Sequence, residues 1–217
     1  MNATRVAVIM ENRVLAECLA FRIAAERDFR VVATDFESQT GIQHGVDSEP
    51  DVVILNADSP NPDTLAVVEG LGKTRPQTQV VLLSVLVSDI LIEQALRLGV
   101  RGYLTVAAGI DTILDGIRHV AAGGHCFSND VKSRLTFDPS QRRFRVAAIG
   151  QSLPLTRRQL EVLRHLARGC STKEVARLMG LCTKSVESHK FRIMNKLDLH
   201  DRVALARYAI REGLVLP

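Results

Sequence analysis

Lys184, Ser188, Phe191 and Asn195 recur at i, i+4, i+7 and i+11, so a helix from Thr183 to Leu197 carries them on one face. Val186, Ile193 and Leu197 fall on the opposite face, and Glu187, Lys190, Arg192 and Lys196 flank the polar stripe. An apolar inner face with a Lys/Ser/Asn/Arg outer face suits the major groove of double-stranded DNA. Lys184, Lys190, Arg192 and Lys196 can neutralise phosphates. Ser188, Glu187 and Asn195 can read base edges, with Glu accepting from cytosine and Asn pairing with adenine. Thr183 opens the helix and joins the candidate DNA-binding set. Phe191 either touches a thymine methyl or packs inward, depending on the helical phase. His189 falls between the inner and flanking faces and reads as a packed structural histidine.

The elements around this helix fit the same chemistry. Thr156 is placed to cap a helix whose apolar face carries Leu160, Leu163 and Ala167 and which ends at Gly169. Ser171 and Glu174 have capping-box spacing, and Gly180 stops the helix they begin. Two short helices joined by a glycine turn make a helix-turn-helix, whose second helix enters the groove. A last helix is expected from Asp201 to Glu212, ended by Gly213.

Charge separates this segment from the rest. Residues 1–136 hold 12 Lys/Arg against 17 Asp/Glu, whereas residues 138–217 hold 16 against 7. A basic half suits a polyanionic partner. With 46% hydrophobic and 24% charged residues over 217 positions, the chain is long enough for two small domains. No apolar run approaches the roughly 18 residues of a membrane helix. The N-terminal apolar stretch is too short for a signal peptide, so a cytoplasmic protein without a membrane partner is expected. The four cysteines lack CxxC spacing, and the cysteines and histidines form no metal pattern, so free thiols, no metal and no cofactor are expected. Cys170 and Cys182 bracket the first turn of the basic half, and buried, inert thiols are the default there.

The acidic half alternates short β-branched runs with helical patterns. Strands are expected at 5–9, 29–34, 51–55, 79–83 and 101–105. Helices are expected at 12–26, 37–45, 63–74, 89–98 and 111–122. Five strand–helix pairs imply an α/β fold, a doubly wound five-stranded parallel sheet followed by a small all-α domain. Boundaries are expected at 1–124 for the first domain, 125–152 for a linker with a short helix near Asn129–Leu135, and 153–217 for the second. The linker's length permits variable geometry between the halves, and it carries the basic cluster Arg142, Arg143 and Arg145. Such sheets build their sites at the carboxyl ends of the strands.

PDVVILNADSP at 50–60, VVLLS at 80–84 and GVRGYL at 99–104 resemble the receiver domain of bacterial response regulators, over residues 5–123. The resemblance implies two acids after the first strand and a phospho-accepting Asp after the third, together holding magnesium. It also implies a Ser/Thr after the fourth strand and a Lys after the fifth, both touching the phosphoryl group. Here the acidic pair is Met10–Glu11, the acceptor position is Asn56, the hydroxyl position is Ser84 and the Lys position is Val106. An amide is a poor nucleophile beside a carboxylate. Glu11 alone supplies the hard anionic oxygen that magnesium prefers. The receiver therefore reads as degenerate and phosphorylation-independent. Asp58 reads as a solvated loop carboxylate, and Asp51 sits at the wrong end of its strand. The emptied pocket serves either as a scaffold or partner-docking face or as a sensor of a small-molecule effector.

LTRRQLEVLRHLARGCSTKEVARLMGLCTKSVESHKFRIMNKL at 155–197 resembles the LuxR-type DNA-binding domain in its NarL/FixJ response-regulator form. That resemblance implies that the 183–197 helix is the recognition helix. It also implies that the last helix dimerises, here through Val203, Arg207 and Ile210. The family often has Ser where this chain has Cys182. A thiol is a weaker cap, and Thr183 is expected to take over. Together these readings give a sequence-specific, dimeric DNA-binding transcriptional regulator. Two rivals are a conventional phospho-switch using another acid, and a protein that titrates partner regulators without touching DNA. No catalytic constellation points to an enzyme.

Overall fold

The computed structural model describes residues 3–36, 39–57, 64–148 and 155–215. The first unit runs β1 (Thr4–Met10), α1 (Arg13–Ala24), β2 (Phe29–Phe36), α2 (Gln39–Asp47), β3 (Val52–Asn56), α3 (Thr64–Thr74), β4 (Gln79–Ser84), α4 (Asp89–Arg97), β5 (Gly102–Thr105) and α5 (Ile110–Ala121). The strands pair in parallel in the order β2-β1-β3-β4-β5, and β6 (Cys126–Phe127) adds a sixth strand beside β5. Alternation along β1 assigns the two faces. Val6, Val8 and Met10 pack with α1 and α5, while Ala7 and Ile9 join the core under α3 and α4. Both faces of β1 and β3 are covered, and for that reason these strands read as continuous apolar runs. Gly116 lets α5 lie close to the sheet, because a Cβ there would meet Leu104 Cδ1 at 2.8 Å.

Much of the segment expected as a linker is folded among the described residues. After β6 come a one-turn helix α6 (Asn129–Lys132) and an antiparallel hairpin, β7 (Leu135–Asp138) with β8 (Arg143–Val146). The expected short helix is thus present but shorter than 129–135. Phe137 and Phe144 pair across the hairpin, and Phe144 also stacks edge-on to Phe127 with ring centroids 5.2 Å apart. On the other side, Glu93 of α4 is 1% exposed, and its Oε2 accepts the Val146 N–H at 2.8 Å. Its Oε1 accepts from Arg97 Nε at 2.9 Å and faces Arg143 Nη1 at 3.5 Å. A buried carboxylate survives only when its oxygens are occupied this way. Arg143 of the basic cluster therefore helps fasten the hairpin to α4, and residues 149–154 lie outside the described residues.

The second unit is α7 (Arg157–Ala167), α8 (Thr172–Leu178), α9 (Thr183–Leu197) and α10 (Arg202–Arg211). Its core, with Leu160, Leu163, Val186, Ile193 and Leu205, is continuous with the α3–α4 side of the first unit. Arg164 of α7 is 2% exposed and donates from Nη2 to the Ala57 carbonyl at 3.5 Å and from Nε to the Leu214 carbonyl at 3.3 Å. Arg157 pairs with Glu69 of α3. Gly213 takes φ +63° where the chain passes the β4–α4 loop, and a Cβ there would lie 2.8 Å from the Val87 carbonyl oxygen. No described helix is long and apolar enough to cross a membrane.

Candidate nucleic-acid interface and strand-end pocket

The candidate DNA-binding surface is set by local caps first. Ser171 Oγ accepts the Glu174 N–H, and Glu174 Oε2 accepts the Ser171 N–H at 2.7 Å, so the capping box starts α8 as its spacing requires. Thr156 and Gln159 form a second box at the start of α7. Gly180, at φ +61°, then turns the chain into α9. Val186 and Ile193 are fully buried and fix the roll of α9 about its axis. That roll leaves Thr183, Lys184, Glu187, Ser188, Phe191, Arg192, Asn195 and Lys196 exposed, with Lys190 half-buried. Phe191 is 66% exposed, so its outward orientation is settled. His189 is half-buried.

Two of the cations on this surface are held by neighbours. Lys190 Nζ lies 3.5 Å from Glu187 Oε2, and Lys196 Nζ donates to Gln159 Oε1 at 3.1 Å. These contacts orient the ammonium groups without neutralising the face, since Lys184 and Arg192 remain exposed. The start of α9 departs from expectation. Cys182 keeps the N-cap position, its side chain makes no capping bond to the backbone, and Thr183 is the first helical residue. Thr183 is already helical and so does not replace the cap. Cys182 is also exposed rather than buried, and Cys170 is half-buried. The Ser185 hydroxyl, 3.1 Å from Cys182 Sγ, holds the thiol below its ordinary pKa. On α10, Leu205 and Ala209 are buried in the core, whereas Val203, Arg207 and Ile210 are exposed together at i, i+4 and i+7.

The other candidate residues converge at one edge of the sheet. Asn56 pairs in register with Leu83, and Ser84 with Thr105, so the ends of β3, β4 and β5 lie side by side, with β1 next to β3. Met10 is fully buried in the core beneath α1, and Glu11 is exposed. Asn56 is 8% exposed, and its carbonyl accepts from Thr64 Oγ1 at 2.7 Å. Ser84 is fully buried; its Oγ donates to the Leu86 carbonyl and accepts the Leu86 N–H at 3.1 Å, so the hydroxyl is closed onto its own loop. Val106 is half-buried in a 3₁₀ turn after β5. A magnesium ion does not fit this set, which offers one exposed carboxylate, a thioether, an amide and an engaged hydroxyl. No group of three potential metal-ligating side chains occurs among the described residues. Asp51 Oδ2 accepts the Arg5 N–H at 2.8 Å at the opposite edge, a structural role. Asp58 lies outside the described residues.

Arg164 and Glu93 were not singled out by sequence reasoning. Arg164 stands in line with Leu160 and Ala167 on the apolar stripe of α7, and a charge at that phase is the signal that marks it. Glu93 had no comparable signal, because its partners come from a hairpin that read as linker.

Comparison with known proteins adds the following. Residues 153–209 match the family model for bacterial regulatory proteins of the luxR family. The transcriptional regulatory protein UhpA of Escherichia coli is 31% identical over 202 residues, spanning 93% of this chain and 95% of UhpA. MctR of Rhizobium johnstonii, also a transcriptional regulatory protein, is 30% identical over 185 residues, covering 85% of this chain and 83% of MctR. A structure of the RcsB response regulator of Salmonella typhimurium superposes with a TM-score of 0.76 at 18% identity. It covers 99% of this chain and 100% of RcsB, a likeness of fold alone.

Proposed function

This chain belongs to the luxR-type DNA-binding transcriptional response regulators, and from that premise we propose that it binds DNA sequence-specifically without an aspartyl-phosphate switch. The observation that carries the second part is the strand-end set: Asn56 at the acceptor position, Met10 buried, Ser84 bonded to Leu86, and Val106 where a cation would be needed. Among the described residues, the positions expected to carry the acceptor carboxylate and the cation hold Asn56 and Val106 instead, neither of which can accept or neutralise a phosphoryl group. The contact from Arg164 to the Ala57 carbonyl supports a direct mechanical link from this edge to the DNA-binding unit. Control then comes through a protein or small-molecule effector at the first unit.

DNA contact is assigned to α9. Lys184, Lys190, Arg192 and Lys196 take phosphates, and Glu187, Ser188 and Asn195 face the base edges, with Thr183 and Phe191 completing the surface. Dimerisation is assigned to α10 through Val203, Arg207 and Ile210, giving a two-fold-related pair of half-sites. RcsB, a fold neighbour, has been solved as two dimers bound to two parallel DNAs. The phosphate-independent reading is tested by treating the full chain with acetyl phosphate, and separately with beryllofluoride. Intact mass and DNA affinity are expected to stay unchanged. A stable phosphoryl adduct that tightens DNA binding would return the protein to a conventional phospho-switch.

A further inference from the structure

Three arginines line one cavity in the seam between α4 and the β7–β8 hairpin. The cavity measures about 230 Å³. Glu93 and Arg97 of α4 line one side, and Asp138, Arg143 and Arg145 of the hairpin strands line the other, with Ser140 and Gln141 of the turn between them. Alternation along β8 explains the second set. Phe144 points at the aromatic cluster, so Arg143 and Arg145 fall on the opposite side of the hairpin. Clusters of this kind are ordinarily ion-pair networks, and part of this one is. Glu93 is filled by the Val146 N–H, Arg97 and Arg143. Asp138 Oδ1 accepts from the Ser140 N–H at 2.9 Å, the Ser140 hydroxyl at 2.6 Å and the Gln141 N–H at 3.3 Å.

Arg145 is the member left over. Its Nε is buried with no hydrogen-bond partner among the described residues, and Asp138 Oδ2 stands 3.8 Å from it. A buried donor without an acceptor is costly, and the polar cavity beside it is where an acceptor would sit. One water could occupy that donor but would not offset the charge. Three arginines against two carboxylates leave the lining at a net positive charge of one. A single carboxylate neutralises it, and guanidinium groups bind carboxylates in a two-point fork. A phosphate dianion would overshoot. The volume lies below the roughly 300–1,000 Å³ of ordinary small-molecule sites, so the ligand is compact. Every lining side chain is polar or charged, so the remainder of the ligand is polar too.

We propose that this cavity binds a small hydroxy- or oxo-carboxylate, its carboxylate taken by Arg145 with Arg143 beside it, and its hydroxyl or oxo group by the Ser140–Gln141 turn. The proposal deepens the effector reading above, and its consequence for DNA rests on that reading. β8 is the last described element before α7. A ligand in the seam ties β8 to α4 and so bears on how the DNA-binding unit is held. The binding itself is read without DNA.

The test titrates lactate, pyruvate and glycerate, one at a time, into the full chain in a calorimeter. Saturable one-site binding of at least one of them is expected, with a Kd of about 1 mM or tighter. Arg145→Met is expected to weaken that binding about tenfold or more, with an unchanged far-UV spectrum. If Arg145→Met does not fold, Arg145→Lys carries the same expectation, because it keeps the charge and loses the fork. Arg142→Met, at an exposed turn position outside the cavity lining, is expected to bind like the parent. No saturable binding of any of the three acids would overturn the proposal. So would binding that the Arg145 variant retains, or that Arg142→Met loses to the same degree. Inorganic phosphate binding more tightly than every carboxylate would overturn the ligand class. The acid that binds is then expected to shift the affinity of the full chain for a DNA it selects by about fivefold or more. Binding with DNA affinity unchanged would overturn the effector reading and leave the site standing.

Discussion

Gln94 carries a cost that the rest of α4 does not. Both polar atoms of its side chain are buried with no hydrogen-bond partner, in a helix buried continuously from Ile90 to Leu96. An unpaired buried amide costs about 1–3 kcal/mol, and an apolar residue of similar shape removes that cost. Gln94→Leu should therefore raise the thermal midpoint of the full chain by about 2–4 °C per kcal/mol regained. An unchanged or lower midpoint in calorimetry would mean that the amide is satisfied in solution. His165 gives a second test at this scale. It is 5% exposed, and burial first, then Arg168, holds its imidazole below the usual histidine range. Arg164 and Arg158 act in the same direction, and Glu161 opposes them. An unfolded histidine titrates near about 6.5. Below that pH the unfolded chain takes up a proton that the folded chain refuses, so stability is present above it and lost as pH falls further. The thermal midpoint should drop between about pH 7 and pH 5, and His165→Gln should flatten the slope. An equal slope in the variant would place the acid sensitivity elsewhere, with His125, also lowered by burial, the next group to change.

At the scale of elements, the helix-turn-helix was legible because its signals are local. Ser171 and Glu174 stand three apart, Gly180 supplies the positive φ, and the inner phase of Val186 and Ile193 alone fixes which side of α9 faces out. The parallel strands were legible for the same reason, as β-branched runs bounded by helix caps. β6 and the hairpin were not. Cys126–Phe127 is two residues long, below any pattern, and β8 reads as a basic stretch because Arg143 and Arg145 alternate with Phe144 and Val146. That stretch is a strand because it pairs antiparallel with β7, and the Glu93 carboxylate, some fifty residues earlier in the chain, fastens its end through the Val146 N–H, a tertiary contact. The candidate pocket was legible as residue types at strand ends, but the closure of Ser84 onto Leu86 was not, since a hydroxyl's partner depends on the loop's path. The exposure along α9 leads to a graded prediction. Lys184→Ala and Arg192→Ala should each weaken DNA binding about equally for all sequences and reduce the slope of log affinity against log salt by about 1. Asn195→Ala should instead relax preference at one base position. A variant of Arg192 with an unchanged salt slope would remove that residue from the phosphate contacts.

For the whole molecule, the acidic and basic halves are packed into one core rather than tethered. Arg164, Arg157 and the tail past Gly213 bring the DNA-binding unit against the edge where a phosphoryl switch would operate. The exposed face of α9 is left open in that arrangement. The proposed loss of the phospho-acceptor and the exposed face of α9 lead to the same expectation, a regulator competent on DNA as it is made. The most direct measurement is selection of genomic fragments by the purified, untreated full chain at about 150 mM salt, where charge alone gives only weak binding. The account predicts enrichment of a shared two-fold motif with no phosphodonor present. Enrichment that appears only after a phosphodonor is added, or none at all while residues 150–217 alone select the motif, would contradict it.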